Sequence, residues 1–124
     1  MESASTTHAI DRAVLQGIRD ICSDNNDFRE LVEIYLQDLD AKLTLLESAV
    51  IKPDFDTVAS IAHSMKSSSM SLGAMKLGDI FAQLNTAAKE NRHEQMTALF
   101  VNLASMQQGV ASELQAAADS DVLL

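Results

Sequence analysis

A chain of 124 residues, 47% hydrophobic and 22% charged, is long enough for one core, too short for two and too apolar to stay disordered. Its formal charge of −9, with no run of four basic residues, excludes a nucleic-acid binder, because phosphate backbones need clustered Lys and Arg. No apolar run approaches the roughly 18 residues that span a bilayer, and the polar start MESASTTH has no signal-peptide core, so no membrane association is expected.

Four glycines and one proline leave little material for turns, and Ala, Leu, Met, Gln and Glu outweigh the aromatic and β-branched residues. The composition therefore predicts an all-α protein in a single domain over 1–124, with its core at about 8–118 and flexible ends at 1–6 and 119–124. Cys22 stands alone, which excludes a disulfide framework and makes the cytosol the expected compartment. On an apolar helical face, it reads as a buried small hydrophobe.

The first helix is expected over about 7–22, with Ile10, Val14, Ile18 and Ile21 or Cys22 sharing a face. SDNND interrupts it with capping residues. A long second helix follows over about 27–51, where Phe28, Leu31, Val32, Tyr35, Leu39, Leu43, Leu46 and Val50 form an unbroken stripe. Pro53 stops it, and Asp54 is placed to cap a third helix carrying Phe55, Val58, Ala62, Met65, Ser69 and Leu72 inward. A turn at 71–73 leads into a fourth helix with Leu77, Ile80, Phe81, Leu84 and Ala88. After KENRH, a fifth presents Met96, Leu99, Phe100, Leu103, Met106, Val110 and Leu114. Short connections between such helices predict an antiparallel up-and-down four-helix bundle with the first helix as an addition.

The stretch AHSMKSSSMSLGA breaks the monotony of these stripes. At about 100° per residue, Val58, Ala62, Met65 and Ser69 fall together, and His63 lies about 130° from their centre. His63 therefore points away from the core, flanked by Lys66, Ser67 and an exposed Met70. Ser64, Ser67, Ser68, Ser69 and Ser71 crowd the same segment although serine is a mediocre helix former. Ser69 suits close helix packing, whereas Ser67 leaves the approach to the imidazole unobstructed. Ala59, Ser67 and Met70 are the residues expected to meet a docking partner.

Phosphoryl chemistry accounts for the set. A neutral imidazole is a competent nucleophile toward phosphorus, and the phosphoramidate it forms can pass its group to a carboxylate. Lys66, one turn on, can neutralise phosphoryl oxygens, and its field favours the neutral ring. One ring nitrogen attacks while the other needs an orienting partner, for which Asn85 at the margin of the fourth helix is the candidate.

These residues resemble the histidine phosphotransfer (HPt) family, whose motif runs H-x-x-K-G-[SA]-[SA]-x-x-x-G. His63, Lys66, Ser68, Ser69 and Gly73 match it in place, with Ala74, Leu77 and Leu84 following the family's apolar spacing. The second helix also resembles the family's, so the similarity covers roughly residues 10–115. Ser67 stands where the family usually has glycine, and Asn85 where a longer Gln or Glu often contacts the histidine. The resemblance implies a monomeric four-helix bundle that takes phosphate at His63 from the aspartyl phosphate of one receiver domain and gives it to another. Partners would be receiver domains of response regulators, a hybrid histidine kinase, or both. The receiver would supply the acidic pocket and the Mg²⁺, this chain binding no cofactor of its own.

The four glycines are isolated, so there is no phosphate-binding loop for ATP, and a phosphoryl carrier rather than a self-contained kinase is expected. His8 and His93 read as ordinary surface residues, at the frayed start and in the last loop, and no ligand set for a metal is apparent. Two rivals remain at this level. One is an HPt-like adaptor that binds a receiver or kinase without phosphotransfer. The other is the phosphoacceptor domain of a chemotaxis-type kinase, which would be followed by an ATP-binding module.

Overall fold

The structure, a computed structural model, describes residues 9–120. Among these residues there are five helices and no strand: α1 (Arg12–Ile21), α2 (Asn25–Ile51), α3 (Phe55–Ser71), α4 (Met75–Lys89) and α5 (His93–Ala118). Sequence chemistry sets most of the boundaries. Asp11, Asp24 and Asp54 each turn a carboxylate oxygen onto free N–H groups of a first turn, Asp54 doing so at 3.2 Å from the Thr57 N–H. A side-chain hydrogen bond completes that cap: the Thr57 hydroxyl donates to the second carboxylate oxygen at 2.7 Å, and this bond together with the Thr57 N–H holds the Asp54 carboxyl below the usual carboxylate range.

Helices α3 and α4 both end in a left-handed residue. After α3, Gly73 (φ 85°) and Ala74 donate back to Met70 and Ser69; after α4, Asn91 (φ 56°) and Arg92 donate back to Ala88 and Ala87. Glycine takes this conformation freely and Asn tolerates it, so each sharp stop falls where the chain must reverse.

Three-residue connections make α2 to α5 successive antiparallel neighbours, and α5 closes the ring against α2. The core is one cluster holding Phe28, Val32, Leu39, Leu46, Met65, Leu77, Phe81, Leu84, Met96, Leu103 and Leu114, all fully buried. The expected stripes supply it almost throughout. Leu31 is the departure on α2, being 39% exposed at the edge of the stripe.

The first helix differs from expectation. It begins at Arg12 rather than near residue 7, because the Asp11 cap lies inside the expected span. Its inward face is Leu15, Ile18 and Cys22; Ile21 is 81% exposed, and Ile10 is buried ahead of the helix. Cys22 is half-buried against the core. Arg19 fixes α1 to the end of α5: its guanidinium donates to the carbonyls of Ala117 and Ser120 and lies 5.1 Å from the centre of the Phe28 ring. Arg29 lies 3.9 Å from Asp119, so residues 119 and 120, expected in a flexible end, are tied to the bundle. Residues 1–8, His8 among them, and 121–124 lie outside the described residues.

Candidate functional site

Helix α3 divides as its sequence spacing requires. Val58, Ile61, Ala62, Met65 and Ser69 are buried, while His63 and Ser67 are exposed on the opposite ridge. Ala59, Lys66 and Met70 flank that ridge half-buried. Among the described residues, no side chain or backbone group is hydrogen-bonded to the His63 ring, and no carboxylate lies within salt-bridge range of Lys66. An exposed imidazole and an unpaired ammonium thus stand one helical turn apart on an open surface.

The serines have separate roles. Ser68 and Ser71 donate to the carbonyls of Ser64 and Ser67, at 3.3 and 2.9 Å, so each satisfies its hydroxyl within its own helix. Ser69 is fully buried, and its Oγ lies 2.6 Å from the Tyr35 hydroxyl of α2. This pair pins α3 against α2 two turns from His63. Burial pushes the Tyr35 phenol up to about 12, the Ser69 hydrogen bond opposing the shift and the nearby Asp38 carboxylate adding to it. Sequence reading placed Tyr35 only in an apolar stripe. A lone tyrosine there, whose hydroxyl needs a buried partner, was the available signal.

Gly73 is more than a turn. Its carbonyl accepts the Asp11 N–H at 2.7 Å, and a Cβ at this position would come within 2.7 Å of the Asp11 carbonyl oxygen. The residue therefore seats the segment leading into α1. Met70, expected to be exposed, is half-buried because its side chain lies over Gly78 of α4.

Asn85 is half-buried, and its Oδ1 is buried without a hydrogen-bond partner. Gly78 faces Lys66 and Met70, so the antiparallel register puts Asn85, two turns further along α4, level with the turn of α3 that spans Ala59 and His63. No hydrogen bond joins Asn85 to His63.

An apolar groove of about 500 Å³ lies between α1, α2 and α3, bounded by Ile18, Leu31, Ile34, Tyr35, Ser68 and Leu72. Sequence reading missed it, since it is assembled from three helices. His93 is the first residue of α5 rather than a loop residue, and its Nε2 lies 2.9 Å from the Val50 carbonyl oxygen. Among the described residues, no three His, Cys, Asp or Glu side chains converge to hold a metal ion, and no helix is long and apolar enough to cross a membrane.

A bundle displaying a solvent-facing histidine beside an unpaired lysine defines a class, and comparison with known proteins gives its family. The Hpt domain family model matches residues 30–120. Among solved structures, the chain is similar to histidine-containing phosphotransfer protein B (HptB) from Pseudomonas aeruginosa PAO1, with a TM-score of 0.84 and 20% identity, covering 89% of this chain and 94% of that one. No curated protein matches by sequence. The chain belongs to the Hpt domain family and is a histidine phosphotransfer protein of phosphorelay signalling. Proteins of this family generally interact with receiver domains and kinases.

Proposed function

We propose that His63 is the phosphoacceptor, and that the chain carries a phosphoryl group between aspartates of receiver domains. The observation behind this reading is the His63–Lys66 pair: an exposed ring and a cation with no competing carboxylate among the described residues, one turn apart. In the forward step a ring nitrogen attacks the phosphorus of the receiver's aspartyl phosphate. The N–P bond forms, the acyl O–P bond breaks, and the aspartate leaves as a carboxylate. No proton need depart, because the neutral ring enters with one N–H and keeps it. Lys66 offsets charge on the phosphoryl oxygens in transit. The return step to a second receiver reverses these changes.

The unpartnered Oδ1 of Asn85, level with the His63 turn, is suited to accept the N–H of the ring and so orient the attacking nitrogen. The receiver brings the acidic pocket and Mg²⁺, and its apolar contact surface can use the groove beside α3 together with Ala59, Ser67 and Met70. The chain acts as a cytoplasmic monomer, with receivers of response regulators or of a hybrid kinase on either side.

Incubation with receiver domains charged by acetyl phosphate tests this. The chain should acquire an acid-labile, alkali-stable label, absent from His63→Gln; a label that persists in His63→Gln would refute the assignment. In the same assay Asn85→Leu should transfer several-fold more slowly, and an unchanged rate would remove Asn85 from the site.

A further inference from the structure

Gly78 is the fourth residue of α4, in its first turn, and glycine is a poorer helix former than alanine. It is buried on the side facing α3. A methyl group there would come within 2.5 Å of Met70 Cγ, 3.1 Å of Met70 Cε and 3.4 Å of the Lys66 carbonyl oxygen. The space a side chain would occupy is filled by Met70. The α4 backbone meanwhile rests against the turn of α3 that carries Lys66. Gly17 and Gly109 meet nothing within 4 Å at the same position, so this close approach is not a general property of the chain's helical glycines.

We propose that Gly78 is a positioning residue for phosphotransfer: a socket that draws Met70 down against α4 and so sets the height of the docking ridge beside His63. The proposal rests on reading His63 as the phosphoacceptor. Met70 follows His63 by seven residues, which is two turns along the same face. Seated in the socket, its side chain forms a low apolar floor that a receiver can approach. With a β-carbon at position 78, Met70 Cγ cannot stay where it is, since real contacts do not reach 2.5 Å. The displaced side chain then swings outward over the ridge, into the volume the partner would occupy.

The test uses the full chain as wild type, Gly78→Ala, Met70→Ala and the double variant, with helicity checked by circular dichroism. The donor is the acetyl phosphate-charged receiver that labels the wild type fastest. Gly78→Ala should raise the half-saturating receiver concentration about tenfold while the maximal rate stays within about twofold. The double variant should behave like Met70→Ala alone, because truncation removes the atoms that the new methyl displaces. A folded Gly78→Ala with unchanged half-saturation overturns the proposal, as does a defect of the same size whether or not Met70 is truncated. If Gly78→Ala does not fold, the double variant decides: folding with Met70→Ala kinetics supports the socket, and failure to fold shows that the methyl obstructs something other than Met70. A label surviving on His63→Gln would sink the phosphoacceptor reading, and is distinguishable because it does not depend on position 78.

Discussion

Replacing Ser69 by alanine should destabilise the bundle more than replacing Tyr35 by phenylalanine, although both break the same 2.6 Å hydrogen bond. After Tyr35→Phe, the buried Ser69 hydroxyl can turn to the carbonyl four residues back, as Ser68 and Ser71 already do. The cost is then near that of one net hydrogen bond, about 1 kcal/mol. After Ser69→Ala, the phenol loses the one hydrogen-bond partner it has among the described residues and is left desolvated, which costs about 2 kcal/mol. For a chain of 124 residues, an unfolding entropy of about 0.26 kcal/mol/K turns these into melting-temperature drops of about 4 and 8 °C. Removing both polar groups leaves an apolar contact with nothing unsatisfied, so the double variant should lose no more than Ser69→Ala alone. Thermal unfolding followed by circular dichroism reads all three. Additive losses, or Tyr35→Phe the worse of the two, would show that the pair is not coupled as argued. Function enters through α3: the pair fixes how the His63 helix sits against α2, so phosphotransfer by the folded variants should fall less than their stability does.

Tyr35 is the sole tyrosine in a chain without tryptophan, so absorbance near 295 nm follows its ionisation alone. With the folded phenol near 12 and the unfolded one at its ordinary value of 10.0, the unfolded state releases its proton first. Stability from this group is intact below about pH 10 and is lost as the pH rises toward 12; a native tyrosine titrating at its ordinary value would contradict its burial. Lys66→Ala should slow labelling by about 10- to 100-fold, with stability changed by about 0.5 kcal/mol or less. Unfolding of that variant would make the lysine structural. Gly73→Ala forces a β-carbon onto a φ of 85° and against Asp11, so its denaturant midpoint should fall by the equivalent of about 2 kcal/mol or more. An unchanged midpoint would mean that residues 10 and 11 are not seated there. The labelled residue should remain His63.

The helices and the exposed face that carries His63 were legible in the chain because both depend on periodicity. Aspartate caps at 54, the Pro53 stop and the stripes of α2 to α5 are local properties, and a side chain's angle around a helix follows from its position number. That is why His63 could be placed on the exposed ridge and Ser69 beneath it without a fold. The start of α1 was misplaced for a related reason: Ile10 continues an apolar spacing, but its burial comes from packing near Gly73 and not from being helical. Only the tertiary structure paired Tyr35 with Ser69, set Met70 over Gly78, bound Arg19 to the end of α5 and assembled the groove from three helices. Spacing along one helix says which way a residue points. It cannot say how closely the neighbouring helix approaches or which of its residues stands opposite, because those follow from packing the side chains of several helices together.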